Sequence, residues 1–125
     1  VLDVNDAAAA DALVEAIVRS DGGLHVLVNN AGITRDQLAM RMKDEDWTAV
    51  LDTNLNSVFR LCRAVLRPMM KQRYGRIVNI SSGAGLRVSL TGIQAYAAAK
   101  AANPDVRGVP DSLQDGFRPH GCSLP

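Results

Sequence analysis

Two apolar runs in this chain end in the same way. Leu24-His25-Val26-Leu27-Val28 gives way to Asn29-Asn30-Ala31-Gly32, and Arg76-Ile77-Val78-Asn79-Ile80 gives way to Ser81-Ser82. Between them, residues 44–73 repeat Trp47, Val50, Leu51, Leu55, Val58, Cys62, Val65, Leu66 and Met69 at steps of three and four, the period of a helix with one apolar stripe. Apolar strands alternating with helices predict a parallel sheet whose strands are buried on both faces, because the crossover helices cover them. Ligands in such sheets lie beyond the carboxyl ends of the strands. The small polar residues after each run fall at that edge.

The flanking segments extend the same alternation. Val1-Leu2-Asp3-Val4 reads as the end of an earlier strand, which predicts that the sequence is a piece of something longer. Residues 6–19 predict an alanine-rich amphipathic helix with Leu13, Val14, Ile17 and Val18 on one side, Asp6 as its N-cap and Gly22-Gly23 as its stop. Pro68 is expected to bend the last turns of the long helix, and Gly75 to end it. A further helix carries Tyr96 and Lys100 and must stop near Ala102, since Asn103-Pro104 disfavours its continuation. Residues 103–125 hold Pro104, Pro110, Pro119 and Pro125 and show no periodicity, so an irregular tail is expected there. The fold class is therefore α/β: the middle part of a Rossmann-type doubly wound parallel sheet over residues 1–102, followed by that tail.

Composition narrows the functions. At 125 residues the chain holds one domain at most, and a net charge of +1 leaves no electrostatic footprint for nucleic acid or an acidic membrane surface. No apolar run reaches membrane-spanning length. Cys62 and Cys122 make neither a disulfide framework nor a metal cluster, and a reducing cytoplasmic setting is the default. His25 and Cys62 read as ordinary core or edge residues, and Trp47, Met40, Met42, Met69 and Met70 as packing. The charges of residues 35–46 read as a solvated loop and helix start.

Two features carry chemistry. Tyr96 and Lys100 stand four apart in an alanine run, so a helix stacks phenol and ammonium on one face. A neighbouring ammonium favours the phenolate, which makes Tyr96 a usable proton donor or acceptor, with a serine from the preceding loop available to the same oxygen. Asn54 lies inside the apolar stripe of the long helix, where a buried amide needs hydrogen-bonding partners. It is either tied to a neighbouring backbone or given a functional task.

Asp3-Val4, Asn29-Asn30-Ala31-Gly32, Thr53-Asn54-Leu55, Asn79-Ile80-Ser81-Ser82 and Tyr96-Ala97-Ala98-Ala99-Lys100 occur in one order. In order and spacing they resemble the short-chain dehydrogenases/reductases. The runs from Asn30 to Asp36, from Arg41 to Trp47 and from Thr53 to Leu61 are most similar to the bacterial 3-oxoacyl-[acyl-carrier-protein] reductases. The resemblance covers residues 1–101 and implies reduction of a 3-oxoacyl thioester on acyl carrier protein in fatty-acid synthesis, with NADP(H) as cofactor and NAD(H) as the alternative. It implies Tyr96 as general acid and Ser82 as the hydroxyl on the substrate carbonyl. Lys100 would lower the Tyr96 pKa and bind the nicotinamide ribose, and Asn54 would position a water in the relay behind Lys100. Asp3 and Val4 would meet the adenine, and Asn30, Ala31 and Gly32 would line the adenosine side. A homotetramer is implied for the full-length protein, built in part by the long helix and the Tyr96 helix.

The sequence departs from the family pattern in three places. The glycine-rich turn for the pyrophosphate is not among these residues and would precede Val1. Ser82 to Tyr96 is one residue longer than usual, to be absorbed at Gly83, Gly85 and Gly92, with Ser81 as the other candidate serine. Residues 103–125 do not continue the family pattern, which suggests a shifted reading frame. An isolated polypeptide of this sequence is expected to turn nothing over. The competing readings are a reductase of acetoacetyl-CoA or of another alcohol or ketone, and a truncated protomer that only associates.

Overall fold

The computed structural model describes residues 1–85 and 92–102. The expected tail at 103–125 lies outside the described residues, as do residues 86–91 of the serine loop.

Helix α1 spans Ala7–Asp21. Its start is set as the sequence implies: the Asp6 side chain accepts from the Ala9 N–H at 2.9 Å, and Gly22 closes the far end in the left-handed region. Strand β1 follows at Val26–Asn29 and strand β2 at Arg76–Asn79. They pair in parallel, in a register that sets Leu27 beside Ile77 and Asn29 beside Asn79. Val1-Leu2-Asp3-Val4 joins no strand among the described residues and instead turns back, with the Asp6 N–H donating to the Asp3 carbonyl at 3.0 Å.

The long helix is three elements. Helix α2 runs over Asp44–Leu51, a π-helical turn over Asp52–Asn56, and helix α3 over Ser57–Gln72. α3 continues through Pro68 to Gln72, and the residue that ends it is Arg73 in the left-handed conformation rather than Gly75. Gly75 has a packing role, since a Cβ there would run into the Met69 side chain. Helix α4 spans Gln94–Ala101 and packs against α2 and the π-turn.

The core lies on one face of the β1–β2 ribbon. Val14 of α1, Val65 and Met69 of α3, Leu24 and Ile77 form one buried cluster, with Leu27 packed against it. The opposite face corrects the expectation of strands buried on both sides: Val26 and Val28 are each 54 % exposed. Helices α1 and α3 cover one face, and among the described residues no helix covers the other. Met40 and Met70 are likewise exposed and Trp47 is largely so, leaving Met69 as the methionine that packs the core.

Candidate active site

Both strands end in asparagine, and both ends are buried. Asn29 Nδ2 donates to Asn79 Oδ1 at 2.7 Å, joining the last residues of β1 and β2. Beyond Asn29 the chain emerges as Asn30, Ala31 and Gly32, all exposed. Val4, Asn30 and Ala31 line a small cavity of about 40 Å³ with Ser57, Val58 and Leu61 of α3. Three of the residues expected on the adenosine side are therefore together. Asp3 is nearby in sequence but is turned to its own backbone, its carboxylate accepting from the Asn5 N–H at 2.9 Å.

Asn54 is fully buried in the π-turn, and its amide clasps one residue of the loop after β1. Oδ1 accepts from the Ile33 N–H and Nδ2 donates to the Ile33 carbonyl, each at 2.8 Å. This gives both the oxygen and the nitrogen of the buried amide a partner and fixes where the loop leaves the sheet. The clasp also explains Gly32: a Cβ there would stand 3.0 Å from Asn54 Oδ1. The widened turn displaces the Thr53 carbonyl from the regular ladder, and the Ser57 hydroxyl donates to it at 2.6 Å. Asn5 Nδ2 donates to Thr53 Oγ1 at 3.0 Å, so the turn after Asp3-Val4 is tied to the same helix break.

The second strand end carries the residues expected to handle the proton. Tyr96 and Lys100 lie one turn apart on α4, with Lys100 Nζ 5.8 Å from the Tyr96 ring centroid. Lys100 is only 5 % exposed, and its ammonium donates to the Ile80 carbonyl at 2.6 Å. A buried lysine with a backbone carbonyl on one side and an aromatic ring on the other has its charge aimed rather than solvated. The two serines differ. Ser81 Oγ donates to the Lys100 carbonyl at 3.2 Å and so holds the end of α4, whereas Ser82 Oγ accepts from the Ala84 N–H at 3.2 Å and keeps its own hydrogen to give.

Two loops meet in front of these ends. The Gln37 N–H donates to the Gly92 carbonyl at 2.8 Å, joining the loop after β1 to the entry of α4. Gly92 takes φ +108°, a conformation other residues rarely adopt. Arg35 and Gln37 both engage Asp46, at 3.6 and 2.9 Å, so the charged stretch expected to be solvated is partly knitted. A larger groove of about 580 Å³ runs between α1 and α3, past Glu15, Val18, Arg63 and Arg67, and touches none of the expected site residues.

Asn29, Asn79 and Ile33 escape a reading of the sequence for site residues, and Ser81 enters it only as the alternative serine, though each makes a bond here. The available signal was the repeated asparagine at the end of an apolar run. What it could not reveal is the register that sets the two amides side by side.

Comparison with known proteins agrees with this geometry. The 3-oxoacyl-[acyl-carrier-protein] reductase FabG of Vibrio cholerae is 52 % identical over 100 residues, covering 80 % of this chain and 41 % of the relative. The same-named protein of Escherichia coli K12 is 53 % identical over 100 residues, with the same coverage. The chain thus spans about two-fifths of the length of the curated relatives it matches. Among solved structures, the crystal structure of gox2181 superposes with a TM-score of 0.76 at 37 % identity, over 80 % of this chain and 40 % of that one. The model of the short chain dehydrogenase family matches residues 1–123, and with the parallel strand pair and the Tyr96–Lys100 turn in place, the chain belongs to that family.

Proposed function

We propose that the chain carries the central, proton-donating segment of an NADPH-dependent reductase of 3-oxoacyl thioesters borne by acyl carrier protein. The observation that carries this reading is Lys100: its ammonium is buried, aimed by the Ile80 carbonyl and set against the Tyr96 ring at the end of β2. A bound nicotinamide cofactor would supply the hydride. The chain's own residues supply orientation and the proton. Tyr96 gives its phenolic proton to the substrate carbonyl oxygen, and the Lys100 charge stabilises the phenolate left behind. Ser82 donates to the same oxygen, while Ser81 is already committed to the Lys100 carbonyl. Asn54 holds the loop after β1 through Ile33, and its place in a helix break suits a part in the relay behind Lys100.

The cofactor fits the first strand end on one structural ground. Val4, Asn30 and Ala31 give a small apolar and amide lining at this edge, and Gly32, whose missing Cβ makes room for Asn54, lets the chain turn away directly after it. Asn30, Ala31 and Gly32 would take the adenosine side, with Asp3 and Val4 at the adenine. The boundary near residue 102 belongs to this proposal too; the 100-residue extent of the match to the curated relatives supports it, while the family model runs on to residue 123.

The test is NADPH oxidation by the reductase containing this segment, with acetoacetyl-acyl carrier protein and acetoacetyl-CoA compared. Tyr96→Phe is expected to lower kcat by about 10²–10⁴ while leaving cofactor affinity nearly unchanged, the usual size of a lost proton donor. Full turnover by the phenylalanine variant would remove Tyr96 from the reaction, and preference for the CoA thioester would replace the carrier protein as partner.

A further inference from the structure

The bonds that fix Lys100 do not begin at Lys100. Its ammonium rests on the Ile80 carbonyl. The Ile80 N–H in turn donates to the Asn29 carbonyl at 3.0 Å, and the residue before it, Asn79, accepts from the Asn29 amide at 2.7 Å. Asn29 and Asn79 are 5 % and 4 % exposed. The residue that carries the Lys100 acceptor is thus held on its N-terminal side by the neighbouring strand, through a backbone bond at its own N–H and a side-chain bond at Asn79, while Asn29 Nδ2 also lies 3.6 Å from Cys62 Sγ.

This arrangement has a cost that stability alone does not explain. Asn29 Oδ1 is buried with no partner among the described residues. Two apolar residues at these paired positions would leave no unsatisfied acceptor and would extend the core that Leu27 and Ile77 begin. What an amide pair provides and a pair of apolar side chains does not is a directional link between two strand ends at a single separation. One of those ends leads into Asn30 and Ala31 and the other into Ile80 and the serines, so the link sets the spacing between the two halves of the site. It also anchors the strand end from which the Ile80 carbonyl projects toward Lys100.

We propose that Asn79, held by Asn29, is a positioning residue that places the Lys100 ammonium beside Tyr96 through the Ile80 carbonyl. It rests on the role given to Lys100 above, but it concerns where the ammonium sits and not whether the protein turns over substrate.

Trace acetylation of the 125-residue chain with acetic anhydride, quantified by peptide mass spectrometry, needs neither cofactor nor substrate. The lysines of the sequence are Lys43, Lys71 and Lys100, and the first two are exposed, so they serve as internal standards. Lys100 is expected to react at least about tenfold more slowly than either, as a side chain that must open locally to be reached. Asn79→Leu removes the oxygen acceptor of the Asn29 amide, leaving it only the longer contact to Cys62 Sγ, and should bring Lys100 to within about threefold of the standards. Asn79→Thr, which keeps an acceptor oxygen, should restore the slow rate. Val65→Ala loosens the core under the strands without touching the amide pair, and Lys100 should stay slow in it. If Asn79→Leu loses its helical circular dichroism, Asn79→Ala takes its place. The proposal is overturned if native Lys100 reacts as fast as Lys43, if the leucine or alanine variant leaves it as slow as before, or if Val65→Ala frees it equally. A reductase that fails the turnover assay while Lys100 remains protected by Asn79 would sink the functional reading and leave the positioning intact.

Discussion

The two strand ends that make this site are built by opposite means. After β1, a buried side chain from another element reaches across and clasps the loop: Asn54 holds both the N–H and the carbonyl of Ile33. After β2, the loop is held through a helix instead, with Ser81 on the Lys100 carbonyl and Lys100 on the Ile80 carbonyl. The first end is fixed by one buried amide that pairs both its oxygen and its nitrogen. The second is fixed by a charged group to which the proposed reaction also gives a task. Such a division suits the proposed roles: a binding edge that must keep its shape and a proton-handling edge whose groups must exchange partners during a reaction.

Removing the proposed proton donor should break the comparison most severely, with Tyr96→Phe acting on turnover at the second end alone. Next comes the clasp. Asn54→Leu fits an apolar stripe by character but strips the Ile33 N–H and carbonyl of their partners, and each orphaned group costs about 1–3 kcal/mol. A fall of about 3 kcal/mol in unfolding free energy is expected, measured by urea denaturation, together with weaker cofactor binding. A loss under about 0.5 kcal/mol, the size of an ordinary surface change, would mean that the loop is held by something else.

Gly32→Ala probes the same clasp from the other side. The new methyl would meet Asn54 Oδ1 at 3.0 Å, so either the amide or the loop must give way. Overpacking of this kind costs about 1–3 kcal/mol, and the lower end is expected because the loop beyond Gly32 is exposed. Its effect should largely vanish in an Asn54→Ala background, where the atoms it would meet are gone; additive effects would show that Gly32 serves a different contact.

The serines sharpen the second end. Ser81→Ala should cost about 1 kcal/mol of stability by freeing the Lys100 carbonyl, with modest loss of turnover. Ser82→Ala should do the reverse, with a small stability cost and a large fall in kcat. Exchange of these two outcomes would assign the substrate carbonyl to Ser81.

The alternation of strands and helices, the N-cap at Asp6 and the Tyr96–Lys100 stacking were legible because each follows from local spacing or local chemistry. The helix break was partly legible: an asparagine in an apolar stripe signals that something must satisfy it, but not that Ile33 would. Three things were hidden for a physical reason. The bare face carrying Val26 and Val28 has no local signature, since the apolar run reads the same whether or not a helix covers it. The Asn29–Asn79 pair depends on strand register, a property of two segments 50 residues apart. Arg73 as the helix stop required a non-glycine residue at φ +58°, which a rule favouring glycine at that place passes over in favour of Gly75.

The smallest effect concerns acid. The Asn56 amide, donating to Asp52 Oδ1 at 2.7 Å, and then the Arg60 guanidinium at 3.2 Å hold the Asp52 carboxyl below its ordinary value of 3.8, against an opposing effect of burial. The folded state therefore takes up a proton less readily than the unfolded chain. The stability this lends is complete above about pH 3.8 and fades as pH falls toward the lowered folded value. With 39 % of the Asp52 side chain exposed, solvent screening keeps the contribution small. Asp52→Asn should thus be slightly less stable than the native chain at pH 6, and the gap should close as the pH falls below that of an ordinary carboxylate. Salt separates the two causes. Because the larger one is a hydrogen bond from a neutral amide, 1 M NaCl should narrow the gap at pH 6 only in part, whereas complete loss of the gap would make Arg60 the dominant partner.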